Sequence, residues 1–309
     1  MQKTFKTLEE QINILESKGL VINDYTKAQQ ILMRENYFFV NGYRYLLMKP
    51  NQANYFVDGA TFEELYAIFI FDRKMRNIMF KNILIIENNI KSIISYEMSK
   101  KYGYSEKDYL NPKHFRREHF KMNKINDVIN KMKRQIRLNG KQHRATRHYI
   151  SNYGNIPMWV SVKVLSFGII SELYSILKEE DKINIAKLYH MSHEELSIYL
   201  AILSNYRNLC AHEDILYDHQ TQRSIPNNRF HQMLNIPKIE DEYIYGKNDS
   251  FAVLIMIRQM LSDGEFKDMI NEISYEIDIL YGKIASVNTK DILNKIGFPD
   301  NWRELGNID

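Results

Sequence analysis

The stretch from Thr61 to Tyr102 contains neither proline nor glycine, and it limits what the chain can fold into more than any other part. Thr61 followed by Glu64 is a capping box, a sequence signature of a helix N-terminus. At 100° per residue, Leu65, Phe69, Asp72, Met79 and Ile83 share one stripe, which Ile83, Ile86, Ile90 and Ile94 continue. The segment therefore predicts one very long helix, or two with a kink. Two acids interrupt its apolar stripe. Asp72 and Arg76, four residues apart, can pair with each other. Glu87 sits mid-stripe, where an uncompensated carboxylate is expensive, so it needs a cation from elsewhere.

A second periodic segment supplies one. The Ser192–Glu195 box opens a helical run that reaches His212. Leu196, Tyr199, Leu200, Leu203, Tyr206 and Cys210 form its apolar stripe, and Arg207 falls inside it. A guanidinium there requires a partner or a site, and Glu87 is the obvious partner. Ser197, Ala201, Ser204, Asn205, Asn208 and His212 make a separate small-and-polar face. Asn208 and His212, four apart, stack on that face. Arg207 and His212 point about 140° apart at 100° per residue. Only a long arginine side chain, or a helix ending at the histidine, lets both reach one ligand.

Elsewhere, Thr7 and Glu10 open a short helix that ends at Gly19. A second helix covers roughly 25–34, and an aromatic block from Tyr37 to Tyr45 reads as a packed helix turn. A basic helix is expected from His119 to Leu138, broken at Asn139-Gly140, with another short helix at His143–His148. Met158 to Lys178 reads as a core helix interrupted near Gly168. Asp249–Leu261 and Ser262–Ile284 read as two final core helices, after a polar, irregular tract through Pro226, Pro237 and Gly246. Strand alternation is nowhere convincing. The expected fold is all-α: a helical bundle built from residues 61–102 and 158–285. An N-terminal helical region, 1–60, precedes a helical domain, 61–309, that carries a basic insertion at about 111–150.

Composition narrows the function. The single cysteine, Cys210, excludes an internal disulfide and a cysteine-built metal site. No apolar run reaches the length of a membrane span, and the first residues lack the apolar core of a signal peptide, so cytoplasm is expected. The net charge of +4 is uneven. Residues 113–148 carry twelve Lys/Arg against Glu118 and Asp127, a local +10 that leaves −6 for the rest. Such asymmetry points to a polyanion, nucleic acid first, with a solvated basic helix as the bland alternative. Lys131, Lys133, Arg134, Arg137, Arg144 and Arg147 carry charge with little apolar patterning and are the candidate RNA contacts. There is no P-loop, H-E-x-x-H, G-x-S-x-G or dinucleotide fingerprint, so neither metal nor cofactor is expected. His190 and His193 are three apart but lack a third ligand. Arg137 and His143 repeat the Arg207–His212 type of spacing across a break and count as a decoy.

Arg207, Asn208 and His212 resemble the R-x4-6-H signature of the HEPN superfamily, together with Ala211-His212-Glu213 and Leu216-Tyr217. Asn36-Tyr37 with Asn41-Gly42-Tyr43 resembles a block of the Abi_2 family of abortive-infection proteins (AbiD/AbiF-like). Asp72 with Arg76, then Glu87, and finally Gly297-Phe298-Pro299 with Trp302 fit its further blocks in order. The resemblance implies a HEPN-type bundle and an endoribonuclease acting in phage defence or as a toxin, restrained by a cognate small RNA. It further implies catalysis by Arg207, Asn208 and His212 in a homodimer that brings two motif copies together. His212 would move protons near neutral pH, and Arg207 would stabilise charge on phosphorus. Two other readings stay open: a catalytically silent RNA-binding protein, and a protein-interaction bundle.

Overall fold

The computed structural model describes residues 4–52, 54–116 and 122–308. The proline- and glycine-free stretch forms one continuous helix. In chain order the helices are α1 (Leu8–Glu16), α2 (Tyr25–Glu35), α3 (Tyr37–Asn41), α4 (Phe62–Tyr102), α5 (Glu106–Tyr109), α6 (Met122–Gly140), α7 (Arg144–Tyr153), α8 (Met158–Ser161), α9 (Phe167–Ile176), α10 (Glu179–Ala186), α11 (His193–Ala211), α12 (Arg229–Met233), α13 (Ser250–Met260), α14 (Asp263–Tyr281) and α15 (Thr289–Lys295). The 41 residues of α4 span about 60 Å at ~1.5 Å per residue. Both capping-box bonds at Thr61 are present, and α4 ends where Gly103 takes φ +94°.

The bundle is organised along α4. Helices α11, α14, α8, α10 and α13 pack on it, and α9 packs on α11. Leu65, Met79, Ile83, Ile86, Ile90 and Ile94 are fully buried, so the stripe is the core seam. The N-terminal helices join at the start of α4. Asn36 caps α3 while holding φ +70°, and a parallel bridge ties Val21 to Thr61. Helix α6 lays Ile125, Val128, Ile129, Met132 and Ile136 against α9 and faces its charges outward.

Three local details sharpen the expected fold. The chain between Met158 and Lys178 is interrupted near Gly168, at Leu165-Ser166. Ser166 takes the N-cap of α9 by accepting the Ile169 N–H, and Gly168 lies within the first turn. The tract after Tyr217 is not wholly irregular, since it holds α12 and a short antiparallel hairpin, Lys238–Ile239 with Glu242–Tyr243. The last long helix stops at Tyr281, short of Ile284. The expected start of the basic helix at His119, and the acid Glu118, lie outside the described residues. Among the described residues no helix is long and apolar enough to cross a membrane.

Candidate functional site

Helix α11 carries the central residues. Ser192 caps its N-terminus by accepting the Glu195 N–H at 3.1 Å. At the other end His212 is the C-cap, and its own N–H returns to the Asn208 carbonyl at 3.0 Å. Glu213 then takes φ +57° and turns the chain away. The helix thus stops at the histidine, leaving both the His212 and Asn208 side chains exposed.

Arg207 Nε donates to Glu87 Oε2 at 3.2 Å, and the guanidinium lies 5.7 Å from the Phe80 ring centre. Glu87 also accepts from Lys91, one turn further along α4, at 2.6 Å. The carboxylate is therefore shared by two cations of unequal burial. The Lys91 side chain is 9% exposed, the Arg207 side chain 29%. Anchored through Nε, Arg207 keeps its two Nη groups for another acceptor, because no described residue takes them. An arginine fixed in this way suits a phosphate, whose oxygens match the guanidinium fork.

His212 opens onto a cleft of about 480 Å³ whose wall includes Arg34, Glu35, Phe39, Arg73 and Arg76. A buried polar cluster fixes that wall. Arg76 pairs with Asp72, the Tyr43 hydroxyl donates to Asp72 Oδ2 at 2.7 Å, and Arg76 donates to the Tyr43 oxygen at 3.0 Å. The Leu216 N–H reaches the same Asp72 oxygen at 3.2 Å, which pins the segment after His212 onto α4. Tyr217 donates to the Gly42 carbonyl at 3.2 Å. Gly42 permits this approach: a Cβ there would sit 2.7 Å from Ile215 Cδ1 and 3.1 Å from the Phe39 carbonyl. The blocks around Asn36–Tyr43, Asp72–Arg76 and Ala211–Tyr217 thus meet at one place, although they are far apart in sequence. Arg73 bridges Glu35 at 2.7 Å and Glu213 at 3.6 Å across the cleft mouth.

The cleft brings His212 together with arginines that sequence reasoning passed over, Arg34 and Arg73. It does not bring in Arg207 or Asn208, neither of which lines it. Arg34 and Arg73 carried no spacing signal, because their contacts are set by the packing of α2 and α3 on α4. Lys91 did carry one, the four-residue step from Glu87.

The basic segment occupies another part of the surface. Lys133, Arg134 and Arg137 on α6, with Arg144 and Arg147 on α7, are exposed and make no ion pair with described residues. Lys131 differs, being held by Asp127 and Glu172, each at 2.9 Å. Arg137 and His143 fall on either side of the α6–α7 break, His143 being the N-cap of α7. His193 contacts Glu194 at 3.0 Å, and no group of three or more His, Cys, Asp or Glu among the described residues is placed to hold a metal ion. Cys210 is buried, and burial pushes its thiol up to about 12.

Compared with known families, the chain matches one described as Abi-like protein over residues 30–218. That span runs from α2 through the cleft to just beyond Tyr217, and the Gly297–Trp302 block lies outside it. No curated protein and no solved structure matches the chain.

Proposed function

The chain belongs to the Abi-like protein family, a family of abortive infection, and from that premise we propose that it is a metal-independent endoribonuclease of the HEPN type. The substrate is RNA and the nucleophile is the ribose 2′-hydroxyl next to the scissile phosphate. Attack forms the new O2′–P bond, and the P–O5′ bond breaks. The products are a 2′,3′-cyclic phosphate and a 5′-hydroxyl. One proton must leave the 2′-oxygen and another must reach the 5′-oxygen. His212, exposed at the C-cap of α11, handles one of these transfers. Arg207 offers its Nη pair to the charge that builds on the five-coordinate phosphorus. Asn208, on the same helical face as His212, orients the imidazole or holds a phosphate oxygen.

The observation that carries this reading is the state of Arg207: a cation anchored by a buried carboxylate, with no described residue on its Nη pair, five residues before an exposed histidine at a helix end. One histidine per chain is short of a separate base and acid, so this reading takes two copies of the chain, each giving an arginine and a histidine. Lys133, Arg134, Arg137, Arg144 and Arg147, which make no ion pair with described residues, guide the RNA backbone. They also favour the second reading, an RNA-binding protein without catalysis, because they need no His212 to act.

The test is cleavage by purified protein. His212→Ala and Arg207→Ala should each abolish RNA cleavage and cell toxicity with the fold intact. Wild-type-level cleavage by His212→Ala would overturn the proposal.

A further inference from the structure

A second cleft, of about 490 Å³, runs beside the polar face of α11. Ala201, Ile202 and Asn205 form one wall, and His219, Gln222 and Arg223 belong to the other. The second wall is tied down. Thr221 N–H donates to the Asn248 carbonyl at 2.9 Å, Asn248 returns a bond to the Thr221 carbonyl at 3.2 Å, and Ile225 N–H reaches the Lys247 carbonyl at 2.8 Å. His219 is fixed as well. Its carbonyl accepts from the Tyr206 hydroxyl at 3.1 Å, its ring meets that of Tyr206 edge-on at 4.9 Å, and its Nε2 lies 2.8 Å from Asn205 Oδ1. An amide oxygen only accepts, so Nε2 carries the proton and Nδ1 is left as an acceptor. Burial lowers the pKa of this histidine, against the pull of Asp218 and Asp214, so the ring is neutral at neutral pH.

Position relates this cleft to the candidate site. Asn205 and His212 are seven residues apart on one helix, which places them within about 20° of one face and ~10.5 Å apart along the axis. That interval is about three bases at the ~3.4 Å stacked rise of one strand. Arg223 lies within electrostatic reach of Lys124 on α6: burial lowers that ammonium, Glu172 opposes the shift, and the Arg223 and Lys131 charges add to it. Residues 219–223 also follow the family-matched span, which ends at residue 218.

We propose that this cleft is a nucleobase pocket for single-stranded RNA, about three nucleotides from the phosphate at His212. The proposal rests on the RNA reading above. Ala201 and Ile202 provide the apolar floor on which a flat base lies. The Asn205 and Gln222 amides, with His219 Nδ1, meet the donors and acceptors of the base edge. Arg223 takes the adjoining phosphate. The pocket therefore selects among bases, a task the lysines and arginines of α6 and α7 cannot perform.

The experiment uses His212→Ala protein, so that no cleavage intervenes, and short fluorescent homopolymers of A, C, G and U. Affinities for the four should differ by about fivefold or more, the size that one or two unmatched hydrogen bonds produce. Adding Ala201→Phe, which fills the cleft, should collapse the spread to about twofold. Asn205→Ala, which removes one amide of the pocket and the anchor of His219, should narrow it in the same direction. Equal affinities in the unfilled protein, or a spread that survives filling, overturns the pocket. Cleavage is scored separately on the wild type. A protein that cuts RNA without base discrimination loses the pocket and keeps the nuclease assignment. One that discriminates bases but never cuts keeps the pocket and loses the nuclease.

Discussion

Removing the negative charge of Glu87 should destabilise the fold strongly, and Lys91 should be responsible for most of the loss. The Glu87 side chain is 5% exposed and serves two cations, one at each oxygen. Lys91 is nearly as buried as Glu87, whereas Arg207 still reaches solvent. Glu87→Gln leaves an ammonium inside the α4–α11 seam with no counter-charge. Stranding one partner of a buried pair costs about 3–5 kcal/mol. Glutamine keeps one acceptor oxygen, so the lower end applies, about 3 kcal/mol. At roughly 2 °C per kcal/mol for a chain of this size, the melting temperature should fall by about 6 °C. The assay is thermal and urea unfolding of four proteins: wild type, Glu87→Gln, Lys91→Met, and the double variant. Lys91→Met should relieve part of the Glu87→Gln loss, because an apolar side chain replaces the stranded cation. Arg207→Ala should cost less than Glu87→Gln, since Glu87 retains Lys91. A Glu87→Gln protein melting within about 1 °C of wild type, or a double variant worse than the sum of the singles, would refute the reasoning.

Other outcomes follow from the same geometry. Replacing Lys133, Arg134 and Arg137 by glutamine should weaken binding to unrelated single-stranded RNAs about equally. The salt slope should flatten by about two logarithmic units, at ~0.7 per lost contact, as read from affinities over a range of salt. Cleavage at saturating RNA should survive. His231 is fully buried, and burial lowers its pKa from 6.5 against hydrogen bonds from Gly246 and Asn228. Below pH 6.5 the unfolded chain therefore binds this proton more readily than the fold does. Its contribution to stability is complete above pH 6.5 and declines as pH falls towards the folded-state value. The melting temperature of His231→Gln should accordingly vary less across that window than that of the wild type.

The long helix and its terminus were legible because both are written in local chemistry. Thr61 with Glu64 starts α4, nothing breaks it before Gly103, and Ser192 with Glu195 starts α11. The Glu87–Arg207 contact, between residues 120 apart, could be read because each charge falls out of place on an apolar stripe. Lys91 stands one turn from Glu87 and is buried beside it, although lysine is rarely buried. The interruption near Gly168 was legible because glycine weakens helices, although Ser166 marks it by capping α9, and in the first turn the glycine costs little. Helices α10 and α15 are short, with eight and seven residues, and offer too few turns for periodicity to show. The hairpin has two residues per strand, too few for alternation. The cleft at His212 needed the structure outright. Arg34, Phe39, Arg73 and His212 come from three chain segments, and no spacing within any of them encodes their meeting.

If the end of α11 supports attack by a ribose hydroxyl, the chemistry of the cut ends will record it. Purified wild-type protein should be given RNA in the presence of excess chelator, and the new 3′ ends identified by mass spectrometry. An otherwise identical RNA with a single 2′-deoxyribose at the cut position should be run alongside. The expected products are 2′,3′-cyclic phosphate and 5′-hydroxyl ends, formed in chelator, lost with His212→Ala, and absent at the deoxy position. Cleavage that continues at the deoxy position, or that leaves 5′-phosphate ends, would contradict attack by the ribose hydroxyl.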